Sequence, residues 1–280
     1  MPTVETNGVE TYYEAYGTGP PLLLLHGAGM DGRLWAESAR PLADDHRLVV
    51  PDLRGHGRTG GSDRESYTIG LFVEDVRALV DALGLAAPTV VGHSMGGFVA
   101  LVYAGHHTDA CSALATFGGE VPEPLTFGER VEGYRPALVD ALAPVVGREH
   151  VNRLLRRVDA WRFDERGRGN PAAIERVHER HGDEVPPITD AEQRKLDAAL
   201  ADYYDVSVDY RSVDVPSLHC YGEYEIPRVQ RHARFMAERL PDGETVEIPG
   251  AGHVSMVDSP EFVVETLRGF LDEAFTGREE

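Results

Sequence analysis

The chain has 280 residues, 42% of them apolar, which is enough for one large α/β domain carrying an insertion. Its 47 acidic residues against 27 basic ones leave a formal net charge of −20, which argues against nucleic acid as a partner. Cys111 and Cys220 are its two cysteines, both in segments that read as buried strands, so reduced thiols are expected in place of a disulfide framework; no Cys/His pair has metal-ligand spacing.

No apolar stretch follows Met1-Pro-Thr-Val-Glu5, and no run approaches the roughly 20 apolar residues of a spanning helix, so the expectation is a cytoplasmic protein with no membrane partner. In the alternating segment from Val4 to Tyr13, Asn7-Gly8 signals a β-hairpin, the antiparallel edge of a sheet. Leu22 to Leu25 is wholly apolar, as a strand buried on both faces must be, and it runs into His26-Gly27-Ala28-Gly29. A helix is expected near Gly32 to Leu42, then a strand at Leu48 to Val50 entering the turn Pro51-Asp-Leu-Arg-Gly-His-Gly57. From Tyr67 to Leu83 the residues Phe72, Val76, Leu79 and Leu83 recur at spacings of four and three, the stripe of a helix covering a sheet.

Next comes the most informative segment, Pro88 to Tyr103, in which a β-branched strand with Val90 and Val91 meets an apolar helix from Phe98 to Tyr103 and leaves Ser94 at the corner. Gly92 and Gly96 flank the serine at minus two and plus two, where a strained turn has no room for a β-carbon. A helix opening at Met95 would set its free N–H groups and positive dipole end beside an anion formed at that corner. A strand at Ala113 to Thr116 comes after it, and then the alternation of strand and helix stops.

Residues 121–214 are helical in character, polar, and interrupted by Pro and Gly, which suits a cap inserted between two strands. Its aromatics Tyr134, Trp161, Phe163, Tyr203 and Tyr204 either line a substrate pocket or form the cap's own core, and Arg153, Arg156, Arg157 and Arg162 read as a solvated basic face. Beyond it, the strand from Pro216 ends in Gly222-Glu-Tyr-Glu225. The last strand and loop, Val246-Glu-Ile-Pro-Gly-Ala-Gly-His253, deliver a histidine ahead of a helix opening at Ser259-Pro260.

Gly92-His-Ser-Met-Gly96 fits the G-x-S-x-G nucleophile elbow, and with it the chain resembles the α/β-hydrolases. The resemblance implies a doubly wound, mostly parallel eight-stranded sheet with an N-terminal antiparallel hairpin and a helical cap after strand 6. The core would comprise residues 1–120 and 215–280 and the cap 121–214. It implies Ser94 as nucleophile, His253 as general base, and an oxyanion hole from the backbone N–H groups of Ala28 and Met95. For the acid, relatives usually carry Gly-x-x-Asp where this chain has Glu225. Glu120, in Phe117-Gly-Gly-Glu120, and Glu223 are the alternatives, and the order Ser94, Glu225, His253 matches the family's. The segment Asp52-Leu-Arg-Gly-His-Gly57 looks like the D-x-R-G-x-G signature, with Asp52 and Arg54, a carboxylate and a guanidinium across a tight glycine turn, bracing neighbouring loops; His26 and His56 read as structural, His93 as the filler position of the elbow, and His106 and His107 as the end of the elbow helix.

The same resemblance implies a serine hydrolase of carboxylic esters, lactones or thioesters that works through an acyl-enzyme on a small molecule, with no cofactor and no metal. Relatives with the same triad cleave carbon–carbon bonds or make peracids, and a ligand-binding protein on the same fold is the alternative from another class. Serine at the elbow argues against dehalogenase or epoxide-hydrolase chemistry, for which the family would supply aspartate. The acidic excess with a single lysine, Lys195, resembles proteins of salt-accumulating haloarchaea; an acidic bacterial enzyme or a basic protein partner are the other readings.

Overall fold

A computed structural model of the chain describes residues 2–35, 38–123 and 187–276, with isolated positions between 125 and 185. Eight strands form one sheet in the order β1-β2-β4-β3-β5-β6-β7-β8, with β1 Thr3–Thr6, β2 Val9–Tyr16, β3 Pro21–Leu25, β4 Arg47–Pro51, β5 Thr89–His93, β6 Ala113–Phe117, β7 Ser217–Gly222 and β8 Gly243–Ile248. β1 pairs antiparallel with β2 and β2 with β4, while β3 through β8 run parallel, as expected of a hairpin edge on a doubly wound sheet. Asn7 and Gly8 take positive φ of 45° and 78° in the β1–β2 turn, the conformation that Asn-Gly tolerates best.

The central strands are apolar on both faces because both faces are covered. Leu23, Leu25, Val49, Val90 and Leu114 join one core with helix α1 (Ile69–Ala82) and helix α2 (Met95–His106). Leu22, Leu24, Val91, Ala115 and Phe117 join the other with Trp35 and a C-terminal helix, Pro260–Thr276. Thr68 caps α1 by accepting the N–H of Leu71 at 3.1 Å, and the stripe residues Phe72, Val76 and Leu79 are buried against the sheet. Cys111 and Cys220 are buried free thiols; Cys220 lies in β7, whereas Cys111 precedes β6 and is not in a strand.

One expected element is corrected. In place of a helix near Gly32 to Leu42 there are two short 3-10 turns, Gly32–Trp35 and Arg40–Asp44. Pro41 has no N–H to extend an α-helical ladder, and its ring crowds the residue before it.

After β6 the chain leaves the sheet and returns at β7, and a helical insertion occupies the interval. Its described C-terminal part is helix α3, Asp190–Asp202, capped by Thr189, followed by the 3-10 turns Tyr203–Asp205 and Tyr210–Ser212. Tyr134, Trp161, Phe163 and the four arginines Arg153, Arg156, Arg157 and Arg162 lie outside the described residues. Three helices complete the fold: α4, Pro227–Arg239, after β7; α5, Ser255–Asp258, a short helix the sequence does not announce; and α6, Pro260–Thr276. Among the described residues no helix is long and apolar enough to cross a membrane.

Candidate active site

The strand-to-helix corner after β5 is as tight as its glycines require. A β-carbon on Gly92 would lie 2.2 Å from the carbonyl oxygen of Gly96, and one on Gly96 would lie 2.5 Å from that of His26, so both positions exclude any side chain. Ser94 itself adopts φ 50° and ψ −119°, a region that residues with a β-carbon avoid, and α2 begins at the next residue. The strain turns the Ser94 hydroxyl away from the sheet.

Two further loops converge on that hydroxyl. After β8 the chain delivers His253, whose Nε2 is 3.0 Å from Ser94 Oγ and whose Nδ1 is 2.8 Å from Glu225 Oε2. A buried carboxylate accepts, so Nδ1 carries the proton and Nε2 presents its lone pair to the serine O–H. Burial alone would push the His253 pKa down. The hydrogen bond and charge of Glu225, with the charge of Glu120, outweigh that and raise it. A hydroxyl, an imidazole and a carboxylate in line can take the serine proton and stabilise the resulting imidazolium.

The three candidate acids separate by what each already holds. Glu225 is buried at the end of β7, with Oε2 on His253 and Oε1 accepting the N–H of Ile226 at 3.0 Å. Glu223 turns the other way and accepts the N–H of Gly250 at 2.8 Å, bracing the loop that carries His253. Glu120 pairs with Arg228 of α4, and its own pKa is raised, mainly by burial. Only Glu225 touches the histidine among the three.

The two backbone N–H groups named for the oxyanion hole are both left without a partner among the described residues. Met95 opens α2, so no preceding helical carbonyl takes up its N–H. The Ala28 N–H makes no hydrogen bond among the described residues. A β-carbon on the preceding Gly27 would meet His93 Nδ1 at 2.8 Å and Ser94 Cβ at 3.1 Å, so this loop lies directly against the elbow.

Buried imidazoles hold these loops in place. His26 Nε2 accepts the N–H of Leu53 at 2.9 Å and His56 Nε2 that of Gly29 at 3.1 Å, and burial pushes their pKa values down to about 4 and about 3, so both stay neutral acceptors. Asp52 accepts the N–H groups of Gly32 and Arg58 at 2.8 and 2.7 Å. Arg54 braces a different contact from the one its motif suggests, reaching Asp75 of α1 through bonds of 2.7 and 2.6 Å and the carbonyl of Asn7 at 2.9 Å.

Three contributors escape the sequence. His93 is more than elbow filler, because its Nε2 donates to the His253 carbonyl at 2.8 Å and ties the histidine loop to the elbow. Burial drives its pKa well down, so it remains neutral. Gly118, at φ 61°, leaves room for His253, whose ring atoms would lie 3.0 Å from any β-carbon there. Arg228, from α4, enters the cavity in front of Ser94. The Gly118-Gly119 pair after a strand is the available signal for the second; nothing local marks Arg228.

That cavity measures about 320 Å³. Its lining combines the apolar Ile69, Phe98 and Leu200 with Tyr203, Tyr204 and the ion pair of Glu120 and Arg228. Among the described residues, no group of three or more His, Cys, Asp or Glu is arranged to hold a metal ion.

The α/β-hydrolase fold family model matches residues 20–260. The chain belongs to that family. Its relatives are distant. A pimeloyl-[acyl-carrier protein] methyl ester esterase of Aeromonas salmonicida is 26% identical over 275 residues, covering 92% of this chain and 98% of its own. The non-heme chloroperoxidase CPO-A1 of Kitasatospora aureofaciens is 26% identical over 271 residues, covering 92% and 94%. Among solved structures, a thermophilic esterase from Thermogutta terrifontis superposes with a TM-score of 0.71 at 25% identity, covering 97% of each chain. An α/β-hydrolase acting on a small molecule is the function this kinship supports.

Proposed function

We propose that the protein is a serine hydrolase of carboxylic esters, with Ser94 as nucleophile, His253 as general base and then acid, and Glu225 as the acid that orients it. One observation carries the reading: the unbroken line from Ser94 Oγ to His253 Nε2 at 3.0 Å and from Nδ1 to Glu225 Oε2 at 2.8 Å. Ser94 Oγ attacks the ester carbonyl as its proton passes to Nε2, and the carbonyl oxygen becomes an oxyanion held by the N–H groups of Ala28 and Met95. Each such donor contributes on the order of 100- to 1,000-fold in rate. Collapse of the tetrahedral adduct breaks the bond to the leaving alkoxide, which takes the proton from Nε2. Water then attacks the acyl-enzyme by the same route, returning Ser94 and releasing the acid. The path uses only groups of this chain, with residues 121–214 as a cap over a core of 1–120 and 215–280.

Lactones and thioesters pass through the same steps, and the chloroperoxidase relative makes peroxide an alternative acceptor to test beside water. The deciding experiment is labelling with a fluorophosphonate, whose phosphorus is attacked by an activated serine with loss of fluoride. Wild type is expected to label in buffer and in molar salt, and Ser94→Ala in neither. Folded wild type that fails to label in both conditions overturns the reading.

A further inference from the structure

Lys195 is the single lysine of the chain, and it stands on α3 where that helix meets the core. Its Nζ donates to Glu192 Oε1 at 2.7 Å and to the backbone carbonyl of Ser62 at 2.6 Å, and it lies 5.4 Å from the centre of the Tyr67 ring. Tyr67 OH donates to the other oxygen of Glu192 at 2.5 Å and accepts the N–H of Ser62 at 3.0 Å. The core loop is docked closely here, since a β-carbon on Gly61 would lie 2.2 Å from Glu192 Cδ and one on Gly55 3.4 Å from Leu196 Cδ2. The Lys195 and Glu192 side chains are only 17% and 15% exposed, so salt screens this tie less than it would a surface pair. At its other end α3 is tied again: Asp202 Oδ2 accepts the N–H of Ile69 at 3.0 Å, the first residue of α1, where a carboxylate also meets the positive end of the helix dipole.

Between the two ties the helix divides its faces. Leu196 and Ala199 are buried in the core together with Tyr203, while Leu200 lines the cavity in front of Ser94, as do Tyr203 and Tyr204 from the turn that follows α3 and Ile69 from the α1 terminus that Asp202 holds. On the reading of the site as an ester hydrolase, we propose that Lys195 and Asp202 are positioning residues for the substrate chain: by pinning α3 to the core at both ends they hold Leu200 in place opposite Ile69, which makes this helix a fixed wall of the cavity and the source of selectivity among chains long enough to reach it. Neither residue lines the cavity, so each acts through the wall it holds. A fixed wall receives a long chain without first having to be ordered, whereas a wall in place for only a fraction of the time raises KM by the inverse of that fraction. A short ester, which ends before the wall, is indifferent to it.

The test measures kcat and KM of the full chain for three esters: nitrophenyl acetate as the short reference, nitrophenyl octanoate with a long acyl chain, and octyl acetate with a long alcohol. Lys195→Met/Asp202→Ala removes both ties and keeps the buried face of α3. In it the kcat/KM ratio of at least one long ester to nitrophenyl acetate is expected to fall about 3- to 10-fold, with the loss in KM, as follows when the wall is in place in between about a third and a tenth of the molecules. Lys195→Arg/Asp202→Asn, which keeps a cation between Glu192 and Ser62 and an oxygen for the Ile69 N–H, is expected to hold the wild-type ratio. The single variants Lys195→Met and Asp202→Ala make the same comparison if the double variant does not fold. Ratios unchanged for both long esters even where the melting temperature drops, a loss shared equally by all three esters, or a conservative pair as impaired as the disabling one would each overturn the proposal. Absence of fluorophosphonate labelling in wild type instead overturns the hydrolase reading, and the ester ratios distinguish the two failures.

Discussion

Replacing Glu225 by Gln removes one charge and no volume, and the hydrogen bonds around it set the outcome. The side chain is held at both oxygens, Oε1 by the N–H of Ile226 at 3.0 Å and Oε2 by His253 Nδ1 at 2.8 Å. A glutamine must offer its carbonyl to the Ile226 N–H, because an amide NH₂ there would set donor against donor. Its NH₂ then faces His253 and forces the imidazole proton onto Nε2, where it points at Ser94 and the ring no longer acts as a base. The imidazolium formed on attack also loses its counter-charge. Wrong tautomer and lost charge together correspond to about a 10,000-fold fall in kcat, or about 5.5 kcal/mol of barrier. The assay is hydrolysis of a short nitrophenyl ester with thermal melts run in parallel, and Glu223→Gln, which alters only a loop brace, is expected to stay within about tenfold of wild type. Glu225→Gln within tenfold of wild type, with a loss of about 1,000-fold in Glu223→Gln or Glu120→Gln, would refute the assignment and move the acid.

His253 must be neutral to act as a base, and its pKa is raised above the ordinary histidine value, so kcat/KM is expected to rise with pH and to fall away as pH drops through a midpoint above about 6.5. In Glu225→Gln the residual activity should show that midpoint displaced to lower pH, since burial then acts with less opposition; a pH-rate profile of both proteins checks it. Strain at the elbow is testable without activity: with Ser94 at φ 50°, Ser94→Gly is expected to exceed Ser94→Ala in stability by about 1 kcal/mol in denaturant melts, and a more stable alanine variant would remove the strain argument. With a net charge of −20, the melting temperature should climb between about 0.1 and 1 M KCl as the Debye length shrinks from about 10 to 3 Å; a flat or falling curve would dismiss the reading of the acidity as adaptation to salt.

The parts of this site that can be read in the sequence are those whose geometry is local. Gly92, Ser94 and Gly96 lie within five residues, and the collision each glycine avoids involves backbone set by the elbow and the strand beside it, so their spacing carries the turn. The parallel strands are legible for a similar reason, since burial on both faces demands an unbroken apolar run such as Leu22 to Leu25. The 3-10 turns at Gly32–Trp35 and Arg40–Asp44 are hidden behind an apolar pattern compatible with a helix, which outweighs the single contrary signal of Pro41. The partner of Arg54 is hidden because Asp75 sits 21 residues away on α1, and the motif shows only one half of the pair.

The choice among Glu120, Glu223 and Glu225 exposes the limit most clearly, because all three are glutamates near glycine turns at strand ends and only the resemblance, through the family's Gly-x-x-Asp position, prefers Glu225. Competition for partners does rank them: Arg228 holds Glu120, the Gly250 N–H holds Glu223, and the remaining carboxylate faces the imidazole. Each competing partner comes from an element distant in sequence, α4 for Glu120 and the loop after β8 for Glu223. The same argument resolves Tyr203, for which the sequence offers a core residue and a pocket residue as exclusive readings. Its ring packs on Phe98 with centroids 4.0 Å apart, as a core residue does, while the same residue lines the cavity beside Ser94, so the two readings are not exclusive.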